Sequence, residues 1–247
     1  MSPLWPKYDQ GSLALISSIA AYFGAPTGHR TLDTLDALLN AHAYRNVVLV
    51  LFDGMGIAAL RDHLTKDNFL RQHCIRELSA TYPSTTTAAT TTLESGLSPL
   101  QHAWLGWSVY FPEIDQNVDL FINRNSQTGE PAADFRVAEA YMPYTTIFDR
   151  ISEAGQAKTA NISAFSDPPY EGLDEITQGV ITRCAEPGRH YLYAYWNDPD
   201  HTMHEYGVRS REVHQVMLAL DERARALAEA VTDDTLLLFT ADHGLVD

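Results

Sequence analysis

Apolar runs alternate with amphipathic segments along this chain. Residues 47–52 (Val-Val-Leu-Val-Leu-Phe) are continuously apolar, which predicts a strand buried on both faces. Three further strands are predicted at 157–162, 190–196 and 235–240. Segments of helical periodicity lie at 11–23, 32–39, 57–64, 145–154, 172–184 and 210–230. Because strands alternate with helices, we predict an α/β fold with a mostly parallel sheet covered on both faces.

One segment departs from this alternation. Residues 111–136 are rich in Asp, Asn, Gln, Pro and Gly and show no clear period. Such a stretch is typical of a long excursion, so we expect a lid or rim over residues 108–136.

Composition and charge narrow the class of protein. The chain has 247 residues, 45% of them hydrophobic, which is enough for a sizeable core, and we expect a single domain over 1–247. The net charge of −15 argues against a nucleic-acid polymer and against anionic membranes as partners. Cys74 and Cys184 match no metal or redox spacing, and residues 1–7 do not resemble a secretory signal. We therefore expect a cytoplasmic protein with free thiols.

A hydroxyl-rich segment, residues 82–93, is the first candidate for chemistry. Seven of its twelve residues are Ser or Thr. Ser84 is a good helix N-cap, which would place Thr85, Thr86 and Thr87 in a first turn that favours anions. A hydroxyl there could attack a phosphorus centre. A Ser/Thr-rich surface loop or a threonine-rich strand are the plain alternatives.

Potential metal ligands follow three of the predicted strands. Asp53 follows the first strand, Asp200 and His204 follow residues 190–196, and Asp242 and His243 follow residues 235–240. Parallel strands bring their carboxyl ends to one edge of a sheet, where these side chains can meet. Carboxylate oxygen with imidazole nitrogen suits zinc, manganese or iron. The alternative for each pair is a cap with a surface histidine.

Together these motifs resemble the alkaline phosphatase superfamily, and within it the type I phosphodiesterase/nucleotide pyrophosphatase family. The matching segments occur in the order of the family and are residues 51–55, 82–86, 94–99, 200–204 and 240–244. The resemblance implies a three-layer α/β/α sandwich and a hydrolase that acts on small phosphodiesters or phosphomonoesters, including nucleotides.

The resemblance also implies roles for individual residues. Thr86 would be the catalytic nucleophile, which passes through a phosphothreonine intermediate. Two divalent cations, zinc or manganese, would be bound. The implied ligands are Asp53, Asp242, His243 and Thr86 for one cation, and Asp200 and His204 for the other.

Two positions depart from the family pattern. The family has a further metal-binding histidine after the Asp-His-Gly motif, whereas this sequence ends at Asp247. We expect either that the C-terminal part of the domain is missing or that the second site is incomplete or closed by another group. Ala89 occupies the position of an asparagine that helps to hold phosphoryl oxygens in nucleotide pyrophosphatases.

Alternatives within and outside the family remain open. A sulfatase would need a Cys-x-Pro-x-Arg segment, which neither cysteine supplies. A phosphomutase and a non-catalytic metal-binding relative both stay possible readings. Five aromatic residues near the motifs could stack on a base or an aryl leaving group, although core packing is the favoured role for each. They are Tyr82, Trp104, Trp107, Tyr195 and Trp196.

Overall fold

A computed structural model describes residues 5–245 of the chain. The strands are β1 (Asn46–Phe52), β2 (Ser108–Phe111), β3 (Gln116–Asp119), β4 (Arg124–Asn125), β5 (Lys158–Ile162), β6 (His190–Trp196) and β7 (Thr235–Thr240). The α-helices are α1 (Ser12–Tyr22), α2 (Asp33–Ala41), α3 (Ile57–His63), α4 (Phe69–Gln72), α5 (Thr86–Ser95), α6 (Pro99–His102), α7 (Val137–Tyr141), α8 (Ile147–Glu153), α9 (Leu173–Ala185), α10 (Asp200–Tyr206) and α11 (Arg211–Ala230).

Four strands form the central sheet in the order β5-β6-β1-β7, and every pairing is parallel. Leu51 of β1 lies opposite Tyr195 of β6 on one side and Thr240 of β7 on the other. The three strands therefore end at the same level, and the segments that follow them leave from one edge of the sheet. The predicted α/β fold with a parallel sheet is confirmed.

Helices cover both faces of this sheet. Leu49 and Leu51 of β1 point to a core that includes α1, α2, α5 and α8. Val48 and Val50 point to the opposite core, which includes α3, α9 and α11. Successive side chains of a strand point to opposite faces, so a continuously apolar strand fits only between two covered faces. The three-layer arrangement is confirmed.

The segment predicted as an excursion forms a small antiparallel sheet of β2, β3 and β4. Trp104, Phe111, Val118 and Leu120 are buried in its own small core. Its strands have four, four and two residues, which is too short for a period to emerge from the sequence. Its role as a lid or rim remains a prediction.

Between residues 5 and 245, no helix combines the length and the apolar character that a membrane span requires.

Candidate active site

Backbone hydrogen bonds bring the ends of β1 and β6 together. The Asp53 amide donates to the carbonyl of Trp196 at 3.0 Å, and the Asp200 amide donates to the carbonyl of Asp53 at 3.0 Å. The β1–β6 ladder thus continues past both strands. As a result, Asp53 and the first residue of α10 are adjacent although 147 positions separate them in the sequence.

Two glycines allow the three strand ends to approach each other closely. Gly54 has a φ of +69°, and a Cβ atom there would lie 2.8 Å from the Cβ of Asp200. A Cβ atom on Gly56 would lie 2.6 Å from the Cα of Gly244, directly after the Asp-His pair. Real Cβ atoms essentially never approach other atoms this closely. The Asp-Gly-Met-Gly turn therefore needs glycine at both positions for the site to close.

Asp53, Asp242 and His243 converge at one point. Each offers a ligand atom, and the three atoms lie within 4.8 Å of one another. Nε2 of His243 lies 3.5 Å from Oδ1 of Asp53 and 3.4 Å from Oδ2 of Asp242. One nitrogen and two carboxylates at this spacing could hold a metal ion, and the predicted ligand roles of these residues stay a prediction.

In each of these residues, one polar atom is held by the protein and another is left to face the common point. Oδ1 of Asp242 accepts two backbone N–H groups, at 3.0 and 2.9 Å. Nδ1 of His243 donates to the carbonyl of Gly244 at 3.3 Å, which leaves the lone pair on Nε2. Oδ2 of Asp53 accepts from the hydroxyl of Tyr195 at 2.5 Å. Metal ligands are typically oriented by such outer hydrogen bonds.

Asp200 and His204 lie beside this group, one turn apart on α10. Nε2 of His204 is 3.5 Å from Oδ2 of Asp200, and the histidine side chain is 71% exposed. Within residues 5–245, the buried atoms Oδ1 of Asp200 and Oδ2 of Asp242 have no hydrogen-bond partner. Buried carboxylate oxygens are rarely left unsatisfied, so both atoms fit the binding of cations.

The electrostatics of the three aspartates also favour the binding of cations at this site. Burial raises the pKa of Asp53 to about 9, and the charges of Asp242 and Asp200 add to this, while the hydrogen bond from Tyr195 opposes it. Burial also raises the pKa of Asp200. Three carboxylates packed together disfavour negative charge unless cations neutralise it.

Thr86 is the first residue of α5 and points into this group. Its Oγ1 lies 3.3 Å from Oδ1 of Asp53 and 3.1 Å from Nε2 of His243. The hydroxyl therefore lies beside the two atoms, Oδ1 of Asp53 and Nε2 of His243, that face the candidate metal site. It also lies at a helix N-terminus, where amide groups and the helix dipole favour negative charge.

The predicted cap of this helix is wrong by one residue. Thr85, rather than Ser84, is the N-cap, and its side chain accepts the amide of Ala88 at 3.3 Å. Thr85 has the extended backbone of a cap, whereas Ser84 lies one residue too early to reach that amide. Ala89, the position that departs from the family pattern, is fully buried.

Of the five aromatic residues near the motifs, Tyr195 donates a hydrogen bond to the candidate metal ligand Asp53. Trp104 is buried, and its indole donates to the carbonyl of Met142 at 3.0 Å, so its predicted core role is confirmed. The sequence favours core packing for Tyr195 and gives no sign that its hydroxyl reaches Asp53. The available signal was alternation along β6, which places Tyr195 on the same sheet face as Asp53 once the strands pair in register.

The fold and the site together define a class: an α/β protein whose strand ends gather carboxylates, a histidine and a threonine at a helix start. A family model described as "Type I phosphodiesterase / nucleotide pyrophosphatase" matches residues 47–247. The chain belongs to this family of hydrolases. No curated protein matches the chain.

Solved structures give the same fold. Murine ectonucleotide pyrophosphatase/phosphodiesterase 5, in an inactive Thr-to-Ala variant in complex with AMP, superposes with a TM-score of 0.64 at 18% identity. The human protein of the same name superposes with a TM-score of 0.60 at 19% identity. In both cases the match covers 80% of this chain and 56% of the other chain. The chain thus spans little more than half the length of these relatives.

Proposed function

We propose that this chain hydrolyses small phosphate esters with Thr86 as the nucleophile. The main support for this proposal is the position of the Thr86 hydroxyl, which lies within 3.3 Å of Oδ1 of Asp53 and Nε2 of His243. In the murine relative, AMP is the bound ligand and a threonine-to-alanine change accompanies loss of activity. Both facts support a nucleotide-type phosphate ester as the substrate and a threonine as the essential hydroxyl here.

The ligand set suits two divalent cations, zinc or manganese. Asp53, Asp242, His243 and Thr86 would hold one, and Asp200 and His204 would contribute to the other. When bound, such cations promote loss of the Thr86 proton and stabilise the charge on the phosphoryl and leaving oxygens.

The residues of the chain then perform a double displacement. Oγ1 of Thr86 forms a bond to phosphorus while the bond to the leaving oxygen breaks, which yields a phosphothreonine. The N-terminal amides of α5 face the negative charge that develops on the phosphoryl oxygens. Water then attacks the same phosphorus and the Oγ1–P bond breaks, which releases phosphate from a monoester substrate or a phosphate monoester from a diester. A proton from the water restores the Thr86 hydroxyl.

Hydrolysis of aryl phosphates tests the proposal. Wild type, Thr86→Ala and Thr90→Ala would be assayed on 4-nitrophenyl phosphate and bis(4-nitrophenyl) phosphate with added zinc or manganese. Thr90 is the matched control, since its hydroxyl bonds the Thr86 carbonyl within the helix. We expect Thr86→Ala to lose at least about a thousandfold in kcat/KM and Thr90→Ala to stay within about tenfold of wild type.

Three other outcomes would each change the assignment. Activity that survives in Thr86→Ala would refute Thr86 as the nucleophile. An inactive wild type with two cations bound would favour the non-catalytic metal binder. Transfer of the phosphoryl group to another hydroxyl of the substrate, instead of to water, would indicate a phosphomutase.

A further inference from the structure

The side chain of Tyr195 makes a contact that the proposed chemistry does not use. Its hydroxyl lies 2.5 Å from Oδ2 of Asp53, the carboxylate oxygen turned away from the nucleophile. The other oxygen, Oδ1, lies 3.3 Å from the hydroxyl of Thr86 and 3.5 Å from Nε2 of His243. The two oxygens of Asp53 therefore have separate neighbours: one contacts Tyr195 and the other faces the candidate metal site.

The backbones that carry this contact are fixed by the sheet. Tyr195 lies opposite Leu51 in the β1–β6 register, and the Asp53 amide continues the ladder by donating to the Trp196 carbonyl. Rotation about the side-chain bonds is then the main freedom left to the Asp53 carboxylate. The terminal torsion of an aspartate is broad and roughly two-fold, so a carboxylate without a partner samples many orientations.

The three candidate ligands differ in how they are held. Asp242 is held by two backbone N–H groups, and His243 is held by a backbone carbonyl. Asp53 is held by a side chain, Tyr195, and this support can therefore be removed by a substitution without altering the backbone.

We propose that Tyr195 is a positioning residue for the metal centre. Its hydroxyl holds the Asp53 carboxylate in the rotation in which Oδ1 faces the cation shared with His243 and Asp242. The inference rests on the proposed function, because it requires that this group of ligands binds a divalent cation. It assigns no direct contact between Tyr195 and the substrate.

Tyr193 provides a matched control on the same strand. It lies two residues before Tyr195 and so points to the same face of the sheet. Its side chain is fully buried, and its hydroxyl has no hydrogen-bond partner within residues 5–245. Tyr193→Phe therefore removes the same atom from the same strand without touching Asp53.

Zinc affinity tests the proposal directly. The dissociation constant would be measured by chelator competition for wild type, Tyr195→Phe and Tyr193→Phe, together with the thermal midpoint of each metal-free protein. We expect zinc to bind Tyr195→Phe about 10- to 100-fold more weakly, as is typical when an outer-shell partner of a ligand is lost. Tyr193→Phe should stay within about threefold of wild type. A loss of affinity that appears in both variants, in proportion to lower thermal midpoints, would overturn the positioning role.

A second background separates positioning from general destabilisation. In Asp53→Asn, the further change Tyr195→Phe should alter the residual zinc affinity by less than about threefold, because the carboxylate it orients is already gone. Equal zinc affinity in wild type and Tyr195→Phe would overturn the positioning role while leaving the proposed function intact. A wild type that binds no zinc or manganese would overturn both.

Discussion

Half-buried Glu94 and buried His102 have strongly shifted pKa values. Burial raises the pKa of Glu94 to about 7, and a hydrogen bond from Tyr144 opposes this rise. Burial lowers the pKa of His102 to about 4. Because Nδ1 of His102 accepts the Trp104 amide, its Nε2 donates to the hydroxyl of Thr92 on α5. Both shifts favour the neutral form of the side chain, for Glu94 near the C-terminal end of α5 and for His102 in contact with that helix.

Replacement of Glu94 should change how stability depends on pH. A carboxyl with a raised pKa stabilises the fold fully below its unfolded value of 4.5, and this contribution is lost as pH rises through about 7. The unfolding free energy of wild type relative to Glu94→Gln should therefore fall between pH 4 and 9, by at most about 3 kcal/mol. Urea unfolding at a series of pH values measures it.

The exposed Glu153 on α8 supplies the control for this experiment. Glu153→Gln should follow the wild-type pH profile throughout, since that side chain lies at the surface. The difference in unfolding free energy between wild type and Glu94→Gln could instead stay constant with pH. That result would contradict a pKa of Glu94 that burial raises.

Individual site residues could be predicted from the sequence where they directly follow a predicted strand. Asp53 and Asp242 directly follow apolar strands, and parallel pairing was sufficient to place them at one edge. The contact from Tyr195 was not predictable in the same way, because alternation gives the face of a side chain but not the atom that its hydroxyl reaches. The short approach of Gly56 to Gly244 likewise depends on how two loops pack.

Among the secondary-structure elements, helix α5 determines the position of the candidate nucleophile. It begins at Thr86, is capped at its C-terminal end by Gly96 in a left-handed conformation, and buries nearly all of its residues, packing against α1, α6 and α8. Its first turn therefore has little room to move. The cap at Thr85 fixes where that turn begins, and thereby which hydroxyl faces Asp53.

Thr85 and Ser84, the two candidate N-caps of α5, should differ in how much they contribute to stability. Thr85→Ala should lower the unfolding free energy by about 1 kcal/mol, because the Ala88 amide loses its side-chain acceptor. Ser84→Ala removes an exposed serine outside the helix and should change stability by less than about 0.5 kcal/mol. Chemical denaturation of both variants measures the difference in unfolding free energy. A larger effect at Ser84 would mean that Ser84 is the N-cap, as the sequence predicted.

Element boundaries were predictable to different degrees for physical reasons. The bounds of β6 and β7 were predicted correctly, because both are dense in apolar residues and end at polar turns. The start of α5 was ambiguous, because Ser84 and Thr85 are both good caps and only the packed structure selects one. The short strands β2 to β4 were missed, since their stability comes from a local core around Trp104.

The whole molecule carries a net charge of −15, and three of its aspartates lie close together at the candidate site. Such a site would repel an anionic phosphate ester unless cations are present. Within residues 5–245, the unpartnered oxygens of Asp200 and Asp242 mark where the repulsion would be relieved. The expected cytoplasmic location stays a prediction.

Cations should therefore stabilise the folded protein. At a free zinc concentration of about 100 times the dissociation constant, binding should add about 2.7 kcal/mol to the unfolding free energy. Calorimetry with zinc or manganese, and again after chelation, measures the shift in thermal midpoint. Asp242→Asn should largely abolish it, while an equal shift in that variant would mean that the stabilising cation binds elsewhere.

Capture of the covalent intermediate tests most directly whether Thr86 is the nucleophile. Wild type mixed with 4-nitrophenyl phosphate and zinc or manganese would be quenched in acid and mapped by peptide mass spectrometry. We expect one phosphoryl group on the peptide that contains residues 82–93, localised to Thr86 and absent in Thr86→Ala. A phosphoryl group on another residue, or its presence on that peptide in Thr86→Ala, would contradict the role of Thr86 as the nucleophile.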